Sequence, residues 1–473
     1  MNIQLDPEQL SNTSRSAVDL AAAIRSGELT SIKVTRAFLD RIKLQNPDIH
    51  AVCYLNEASA LEQAETADRA VADGKMLGVL HGVPMTVKDA FRIGGVRSSY
   101  GLPHLKFHRP KQDCTLIARL RSAGAIIMGR TSVPFACFDW QCKPPFGPEC
   151  VNPLDTSRTP GGSSGGAAAA LAARFTPLEL GTDLAGSIRY PAHCCGVYAL
   201  RTSVGALPLE DAGPPGPPLF PSLLAAGPMA RSLDDLKLLL SAIRPDEQET
   251  TLPSRVRIAI TPSIGMAPLE DDSREVFQCF VQRAREAGHE VSVLDQPPFD
   301  FDEAYSLWGL IAGYEMKRLL PFGMRNRLAI HGFTRYFLNY RLGHGPLSAG
   351  MSHGILASAT EYQEGLARRE ELNAVLNGLF QRYDLWGLPV SPAAAITRRK
   401  TGSSFEQNGK AIPYSQYLGA YVCPTVVAGT PALVAPIGKD RNNMPIAIQL
   451  HGPRMYDWHI LKLAISRLSE LFQ

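Results

Sequence analysis

A glycine and serine segment constrains the fold of this chain more than any other feature. Residues 159–166 read Thr-Pro-Gly-Gly-Ser-Ser-Gly-Gly, and an alanine-rich run follows at 167–173. Glycine adopts backbone conformations that are closed to other residues, and it lets the backbone come close to a ligand. Alanine has the highest helix propensity, so the run after the loop predicts a helix. The chain therefore contains a glycine and serine loop that leads directly into a helix N-terminus.

Such a loop suits two kinds of site. A phosphate-binding loop is disfavoured, because the segment has neither a Gly-Lys-Ser/Thr ending nor a Gly-x-Gly-x-x-Gly pattern. Residues 161–165 also fit Gly-x-Ser-x-Gly, the turn that presents a nucleophilic serine in α/β-hydrolases. That mechanism needs a later acid and a histidine, for which Asp384 with His451 or His459 are candidates. Nothing in the surrounding sequence marks them as a catalytic pair, so this triad is the alternative mechanism.

Two further segments contain residue types that suit acyl-transfer chemistry. Residues 181–191 read Gly-Thr-Asp-Leu-Ala-Gly-Ser-Ile-Arg-Tyr-Pro. Small residues just before Ser187 allow several N–H groups to point at one spot, as an oxyanion hole requires, although a plain turn after a strand would look the same. Residues 82–89 read Gly-Val-Pro-Met-Thr-Val-Lys-Asp and place Lys88 at the end of an apolar run. Most lysines are exposed, but a lysine in an apolar setting can act as a neutral general base.

Taken together, these elements resemble the amidase signature family, which includes fatty acid amide hydrolase, malonamidase, peptide amidase and the A subunit of the tRNA-dependent amidotransferase. The resemblance extends from about residue 15 to the C-terminus. The similar segments are 81–84 with Lys88, 113–128, 158–173, 180–191, 429–432 and 449–454. The resemblance implies an α/β fold in which helices flank both faces of a large, mixed and twisted β-sheet.

The resemblance also implies a role for each residue of a Ser-Ser-Lys triad. Lys88 is the base, Ser163 is the bridging serine on a cis peptide after Gly162, and Ser187 is the nucleophile. The oxyanion and substrate-binding positions are the backbone N–H groups of Leu184, Ala185, Gly186 and Ser187, together with Gly162 and the loop-shaping residues Thr182, Asp183 and Arg189.

Two departures from the family pattern lie close to these residues. Ala185 replaces the first glycine of the usual Gly-Gly-Ser element, and its methyl group disfavours positive φ. Residues 199–203 read Ala-Leu-Arg-Thr-Ser in place of Gly-Leu-Lys-Pro-Thr. Both changes bear on substrate identity more than on reaction type.

The expected activity is hydrolysis of a linear carboxylic amide to the acid and ammonia or an amine, through an acyl-serine intermediate. The resemblance implies neither a metal nor an organic cofactor. The alternative is an amide-transferring enzyme or an A-type subunit of a tRNA-dependent amidotransferase, but segment 199–229 departs from that subunit's usual continuation. The expected partner is a small amide with an apolar acyl group, because the resemblance places Phe135, Phe138 and Trp140 near the acyl channel.

Charge and composition exclude several other classes. The formal net charge of the 473 residues is +3, and charged residues of both signs are interspersed, so neither a nucleic acid nor an acidic membrane surface is an expected partner. The sequence shows no leader and no long apolar run, so a cytoplasmic protein is expected. Nine cysteines without Cys-x-x-Cys spacing suggest neither a zinc site nor a disulfide framework and predict buried thiols. The sequence leaves the oligomeric state open, a homodimer included.

The chain is predicted to form one domain over 1–473, with a helical N-terminal segment over 1–75. Short apolar runs alternate with helical stretches from about residue 76, which is the pattern of an α/β sheet. Five prolines in 213–221 predict a loop. A mostly helical insertion over 297–380 is expected to cover the substrate pocket. It carries aromatic residues that are expected to be core, namely Trp308, Tyr314, Phe322, Phe333, Tyr336, Phe337 and Tyr340.

Overall fold

The computed structural model of the chain describes residues 6–75, 78–247, 251–318, 332, 336 and 338–473. The α-helices are α1 (Pro7–Ser14), α2 (Ala17–Ser26), α3 (Ser31–Ile49), α4 (Glu57–Ala72), α5 (Thr115–Ser122), α6 (Gly165–Ala172), α7 (Arg189–Cys195), α8 (Leu233–Ile243), α9 (Asp271–Glu286), α10 (Phe301–Lys317), α11 (Asn339–Leu342), α12 (Pro346–Leu356), α13 (Ala359–Arg382), α14 (Tyr414–Gly419), α15 (Cys423–Val427) and α16 (Asp457–Leu463). The strands are β1 (Val52–Leu55), β2 (Pro84–Lys88), β3 (Ile126–Thr131), β4 (Leu178–Asp183), β5 (Tyr198–Arg201), β6 (Ala225–Ala230), β7 (Arg257–Ile260), β8 (Glu290–Val293), β9 (Leu385–Pro389), β10 (Phe405–Gln407), β11 (Lys410–Ile412), β12 (Ala432–Lys439) and β13 (Pro445–His451).

Eight strands form a mixed sheet in the order β4-β6-β5-β12-β13-β9-β7-β8. Strand β7 pairs in parallel with β8 and β9, whereas the pairs from β4 to β9 are antiparallel. The central strands β12 and β13 are buried at every position except Lys439. Strands that are covered on both faces have nearly continuous apolar sequences, which is why the runs 432–437 and 446–450 predict them. The predicted α/β class with a large mixed sheet is confirmed.

A smaller sheet of three strands, in the order β1-β3-β2, lies beside strand β4 of the large sheet. The two sheets are joined by hydrogen bonds from β2. The Thr86 N–H donates to Thr176 Oγ1 over 3.1 Å, and the Thr86 hydroxyl donates to Glu179 Oε1 over 2.5 Å. Strand β2 ends at Lys88 and β4 ends at Asp183. Two strand ends that carry predicted site residues therefore meet where the two sheets join.

Helices dominate the N-terminal segment, as the sequence predicts. Thr30 is the N-cap of α3, and its side chain accepts a hydrogen bond from the Lys33 N–H over 3.3 Å. At the opposite end of the chain, the last helical segment has three parts. Helix α16 continues into a π-helical turn at Ala464–Leu468 and a 3₁₀ turn at Ser469–Leu471.

The described part of segment 297–380 is mostly helical and contains α10 to α13. Trp308 is buried, as expected of a core residue. The core prediction is wrong for Tyr336 and Tyr340, which are 80% and 51% exposed, because their helical turns present these rings to solvent. Phe322, Phe333 and Phe337 lie outside the described residues.

All nine cysteines lie within the described residues and are free. Six of them are buried, but the prediction of buried thiols is wrong for Cys53 and Cys279, which are exposed. Across the part of the chain that the structure describes, no helix combines the length and the apolar character needed to cross a bilayer.

Candidate active site

The side chain of Lys88 is completely buried at the end of β2. Its Nζ lies 2.8 Å from Ser163 Oγ, 2.9 Å from Thr182 Oγ1 and 3.2 Å from the Thr182 carbonyl oxygen. All three neighbours are uncharged oxygen atoms. Within the described residues, no carboxylate forms an ion pair with this ammonium group, so its charge has no direct compensation.

Burial favours the neutral amine and lowers the pKa of Lys88 below its usual range. The thiol of Cys137 and the carboxyl groups of Asp183 and Glu179 oppose this effect more weakly. Asp89, the next residue, turns away, because its carboxylate pairs with Arg130 over 2.7 Å. Lys88 is therefore placed to act as a neutral proton acceptor beside Ser163.

The loop before α6 holds Ser163 against Lys88. The Gly162–Ser163 peptide is cis, as the resemblance implies. A Cβ atom on Gly162 would lie 2.5 Å from the carbonyl oxygen of Asp139, so only glycine fits at this close approach. The Ser164 N–H donates to the Ser187 carbonyl oxygen over 3.1 Å. The two serine loops are thus tied together by their backbones.

The carboxylate of Asp183 sits at the centre of the second loop. It accepts hydrogen bonds from the N–H groups of Gly186, Ile188 and Arg189 over 2.8, 3.1 and 3.3 Å, and Arg189 Nε lies 3.0 Å from it. Burial alone would raise the pKa of Asp183, but the charges of Arg189 and Arg201 and the N–H donors hold this pKa well below its usual range. The buried, ionised carboxylate of Asp183 therefore holds the loop that carries Ser187 in its observed conformation.

Two features of this loop differ from what the resemblance implies. Glycine is required at Gly186, whose φ is +90° and whose Cβ would meet the Val422 side chain at 2.5 Å, whereas Ala185 does not have positive φ. The methyl group of Ala185 is accordingly compatible with the loop. The second difference is that the Gly186 N–H donates to Asp183, which leaves the N–H groups of Leu184, Ala185 and Ser187 without a protein acceptor in the described residues. Three of the four N–H groups that the resemblance assigns to an oxyanion site are thus without a protein acceptor in the described residues.

A cavity of about 650 Å³ opens in front of Ser163, Thr182 and Ser187. Its walls are mostly apolar, and the proline-rich loop, which is a loop as predicted, forms one side of it. Phe135 and Phe138 line this cavity. The other apolar lining residues are Ala90, Tyr100, Leu102, Leu105, Ala136, Leu184, Leu209, Ala212, Pro214, Pro215, Pro217, Leu219, Phe220, Leu224 and Met316.

Trp140 lines a second cavity of about 30 Å³, which shares Phe138, Leu184 and Ser187 with the large cavity. This cavity adjoins Ser187 and is also lined by Trp308. The indole Nε1 of Trp140 donates to the Ala185 carbonyl oxygen over 2.8 Å, and that of Trp308 donates to the Leu184 carbonyl oxygen over 2.9 Å.

The structure does not assemble the alternative histidine triad. The carboxylate of Asp384 pairs with Arg257 over 2.7 Å. The ring nitrogens of His451 lie 3.2 Å from Thr430 Oγ1 and 3.1 Å from Gln449 Oε1. The hydroxyl of Ser163 contacts Lys88 rather than a histidine. The Gly-x-Ser-x-Gly match at 161–165 is therefore not a nucleophile elbow with an acid and a histidine.

Several residues that support the site are absent from the sequence prediction. Arg201 lies 3.5 Å from the Asp183 carboxylate, and Arg189 donates to Thr425 Oγ1 and Gln449 Oε1 over 2.7 and 2.8 Å. These partners come from strands and helices distant in the sequence, so local spacing does not reveal them. In the sequence, Arg201 is a charged residue within an apolar strand pattern, and this could have indicated a buried ion pair.

The chain is similar to known proteins over most of its length. The family described as Amidase matches residues 33–461. The A subunit of glutamyl-tRNA(Gln) amidotransferase from Streptomyces coelicolor is 31% identical, with 94% of this chain and 94% of that protein covered.

Two solved structures are similar over nearly the whole chain. One, described as an amidase, has a TM-score of 0.81 at 25% identity and covers 97% of this chain and 100% of its own. Fatty acid amide hydrolase has a TM-score of 0.82 at 22% identity and covers 99% of this chain and 87% of its own.

Removing the charge of Asp183 should destabilise the protein strongly. Asp183→Asn leaves the buried guanidinium groups of Arg189 and Arg201 without their anion, which typically costs about 3–5 kcal/mol of the free energy of unfolding. Urea unfolding at neutral pH measures this loss. Because an unfolded aspartate titrates near pH ~3.9, the advantage of the wild type over the variant should shrink as the pH falls below about 4.

Asp272→Asn is the matched control, since Asp272 also pairs with an arginine, Arg441, but at the surface. It should change stability little. Equal effects of the two substitutions would contradict the central role of the Asp183 carboxylate.

Proposed function

The chain belongs to the amidase family, whose fold it has over nearly its whole length, and we propose that it hydrolyses a carboxylic amide through an acyl intermediate on Ser187. One observation carries the proposal. A fully buried lysine, with no carboxylate partner among the described residues, lies 2.8 Å from a serine hydroxyl that borders the same cavity as Ser187. Burial of a lysine without a compensating charge is a recognised way to obtain a neutral lysine base.

In the proposed first step, the neutral amine of Lys88 accepts the proton of the Ser163 hydroxyl. Ser163 in turn accepts the proton of Ser187 as the Ser187 oxygen attacks the amide carbonyl carbon. The carbonyl oxygen becomes an oxyanion and accepts hydrogen bonds from the free N–H groups of the loop at 184–187.

The proton then returns along the same path. Protonated Lys88 restores the proton of Ser163, and Ser163 donates its own to the nitrogen of the scissile amide, so that the C–N bond breaks and ammonia or an amine leaves. An amide nitrogen is a poor leaving group until it is protonated, and this relay supplies that proton. Water then attacks the acyl-serine while the relay accepts its proton. The relay returns that proton to the Ser187 oxygen as the bond between this oxygen and the acyl carbon breaks, and the carboxylic acid is released.

Amide transfer is the second candidate, because the Streptomyces coelicolor relative belongs to an amidotransferase. In transfer, ammonia from one amide is delivered to another acceptor, but the steps at Ser187 are the same. The shape of the large cavity supports hydrolysis of an apolar amide instead. Three prolines of the 213–221 loop, Pro214, Pro215 and Pro217, line this cavity and provide no backbone N–H donors to the surface that faces the substrate.

The apolar walls also support a preference for an apolar acyl group. A cavity of about 650 Å³ is the size of typical small-molecule sites, and its aromatic and aliphatic lining offers many dispersion contacts but few hydrogen bonds. Desolvating a polar acyl group against such walls would cost free energy without return.

Substitution of the nucleophile should separate binding from turnover. Ser187→Ala removes one hydroxyl from a loop whose shape is fixed by backbone contacts to Asp183, so the thermal unfolding temperature should stay within a few degrees of the wild type while turnover falls by about 10⁴-fold or more. A serine-reactive fluorophosphonate should add one adduct to the wild type and none to the variant by intact mass. Peptide mapping of that adduct to Ser163 would overturn the assignment.

The pH dependence should report the lysine base. Because the neutral form of Lys88 is the active one, kcat/KM should rise with pH through one ionisation and level off above the pKa of Lys88, which burial lowers below its ordinary value. Lys88→Ala should abolish this limb and most activity, and Lys88→Arg should be equally inactive, since a guanidinium stays protonated.

Lys410→Arg, at an exposed strand position, is the control and should match the wild type at every pH. Near-normal turnover by Lys88→Arg would exclude the lysine relay.

A panel of amides should distinguish hydrolysis from transfer. Aromatic and long aliphatic amides should react with kcat/KM at least about tenfold higher than malonamide or glutamine, because each buried CH₂ contributes about 0.8 kcal/mol. Release of ammonia or amine by the purified chain alone is the measurement. If glutamine reacts fastest, and only when a second chain is added, the amidotransferase function is correct.

A further inference from the structure

Two buried tryptophans hold the loop that carries Ser187. Trp308, in α10, is 1% exposed, and Trp140 is 4% exposed. We propose that Trp308 is a positioning residue that aims the Ala185 N–H at the oxyanion, by binding the carbonyl oxygen at the other side of the same peptide group. The inference rests on the proposed function, in which Ser187 is the nucleophile and this loop stabilises the oxyanion.

The argument begins with the peptide group that joins Leu184 to Ala185. In a trans peptide, the C=O and the N–H are rigidly coplanar and point in opposite directions. Trp308 Nε1 donates to the Leu184 carbonyl oxygen over 2.9 Å. The Ala185 N–H therefore points away from the indole, and in the described residues it has no protein acceptor. Its direction depends on the hydrogen bond from Trp308.

The next peptide group is held differently. Its carbonyl oxygen, that of Ala185, accepts from Trp140 over 2.8 Å, and its N–H, that of Gly186, donates to Asp183 over 2.8 Å. This peptide group is fixed at both ends. If the hydrogen bond from Trp140 were lost, Asp183 would still hold the Ala185–Gly186 peptide. If the hydrogen bond from Trp308 were lost, the Leu184–Ala185 peptide would have no hydrogen bond to the described part of the protein.

The cavity of about 30 Å³ adjoins the same loop. It is lined by both indoles together with Leu184, Ala185 and Ser187. A polar group the size of one water molecule needs roughly 10–15 Å³ of such space, so the cavity has room for a single oxygen atom beside this loop.

Helix α10 also contributes to the wall of the large cavity. Met316, in the same helix as Trp308, lines the large cavity. One rigid helix therefore contacts both the acyl cavity and the oxyanion loop. Packing of an acyl group against α10 would restrain the helix that positions the Ala185 N–H.

The test compares three Trp→Phe variants, each of which keeps a buried ring and loses one N–H donor. Trp308→Phe should lower kcat by about 10- to 100-fold, below the full loss of an oxyanion donor, with KM within about threefold of the wild type. Trp140→Phe should lower kcat by less. Trp386→Phe is the matched control, because Trp386 is fully buried and donates to Thr261 Oγ1 over 3.0 Å, and it should keep kcat near the wild-type value.

A second readout separates oxyanion stabilisation from loss of packing. A trifluoromethyl ketone with the acyl group of the best substrate forms a hemiketal on Ser187. The Ser187 oxygen bonds to the carbonyl carbon, the C=O double bond becomes a single bond to an oxyanion, and the Ser187 proton passes through Ser163 to Lys88. The affinity of this ketone for Trp308→Phe should fall by the same factor as kcat/KM. Unchanged ketone affinity alongside a reduced kcat would overturn the proposal, as would a kcat equal to that of Trp386→Phe.

The wild-type protein provides a test that does not require the variants to fold. The chain has four tryptophans, so four indole N–H signals are expected in a nitrogen-15 correlation spectrum. Formation of the hemiketal should shift the Trp308 signal, because charge on the oxyanion polarises the Leu184–Ala185 peptide, and should leave the Trp386 signal in place. A stationary Trp308 signal would refute the inference.

These outcomes are separable from failure of the proposed function. If Ser187→Ala still turned over amides or formed the ketone adduct, the proposed nucleophile would be wrong whatever the tryptophan variants do. If Ser187 is the nucleophile and Trp308→Phe behaves like Trp386→Phe, only the positioning role fails. Should the chain transfer amides instead, the same ketone test applies, since both reactions pass through an oxyanion at Ser187.

Discussion

The buried carboxylate of Asp183 is the interaction on which the rest of the site depends. An isolated charge in the protein interior is costly, so this one is retained only because three N–H groups and two guanidinium groups surround it. The N–H donors bend the chain after β4 into the loop that carries Ser187. Arg189 extends the network to Thr425 and Gln449, which belong to α15 and β13. The Asp183 carboxylate thereby holds the loop that carries Ser187 and, through Arg189, connects this loop to the centre of the large sheet.

Lys88 presents the opposite electrostatic arrangement a short distance away. Its ammonium group would be as costly to bury as the carboxylate, yet it is surrounded by a hydroxyl of Ser163 and two oxygens of Thr182 and has no ion pair in the described part of the chain. The neighbouring acid that could neutralise it is held elsewhere, since Asp89 pairs with Arg130. The fold therefore compensates the negative charge of Asp183, which holds the loop. It leaves the positive charge of Lys88 uncompensated, and this favours the neutral amine, the form that can accept a proton.

The proposed relay and the large cavity involve different parts of the fold. Lys88, Ser163 and Ser187 lie where β2, β4 and the loop before α6 meet. The cavity is lined mostly by loops, and its described lining residues after residue 297 are Met316 and Arg318. The 213–221 loop is held by hydrogen bonds from Arg92 to the carbonyl oxygens of Gly213 and Pro214. Loops tolerate sequence change better than the strands and helices that they connect, so the cavity walls can vary independently of the sheets.

The sequence by itself determined the strands and helices that have strong periodic patterns, such as α3 with its Thr30 cap, and brought out Lys88, Ser163 and Ser187 through their local motifs. Local patterns succeed there because capping, propensity and loop conformation depend on neighbouring residues. Only the tertiary structure decided which side chains meet across long separations. It placed Arg201 on Asp183 and Trp308 on the loop, left Tyr336 exposed, and kept Asp384 away from a catalytic role. These contacts depend on how sheets and helices pack, and the spacing of residues within one segment does not determine that packing.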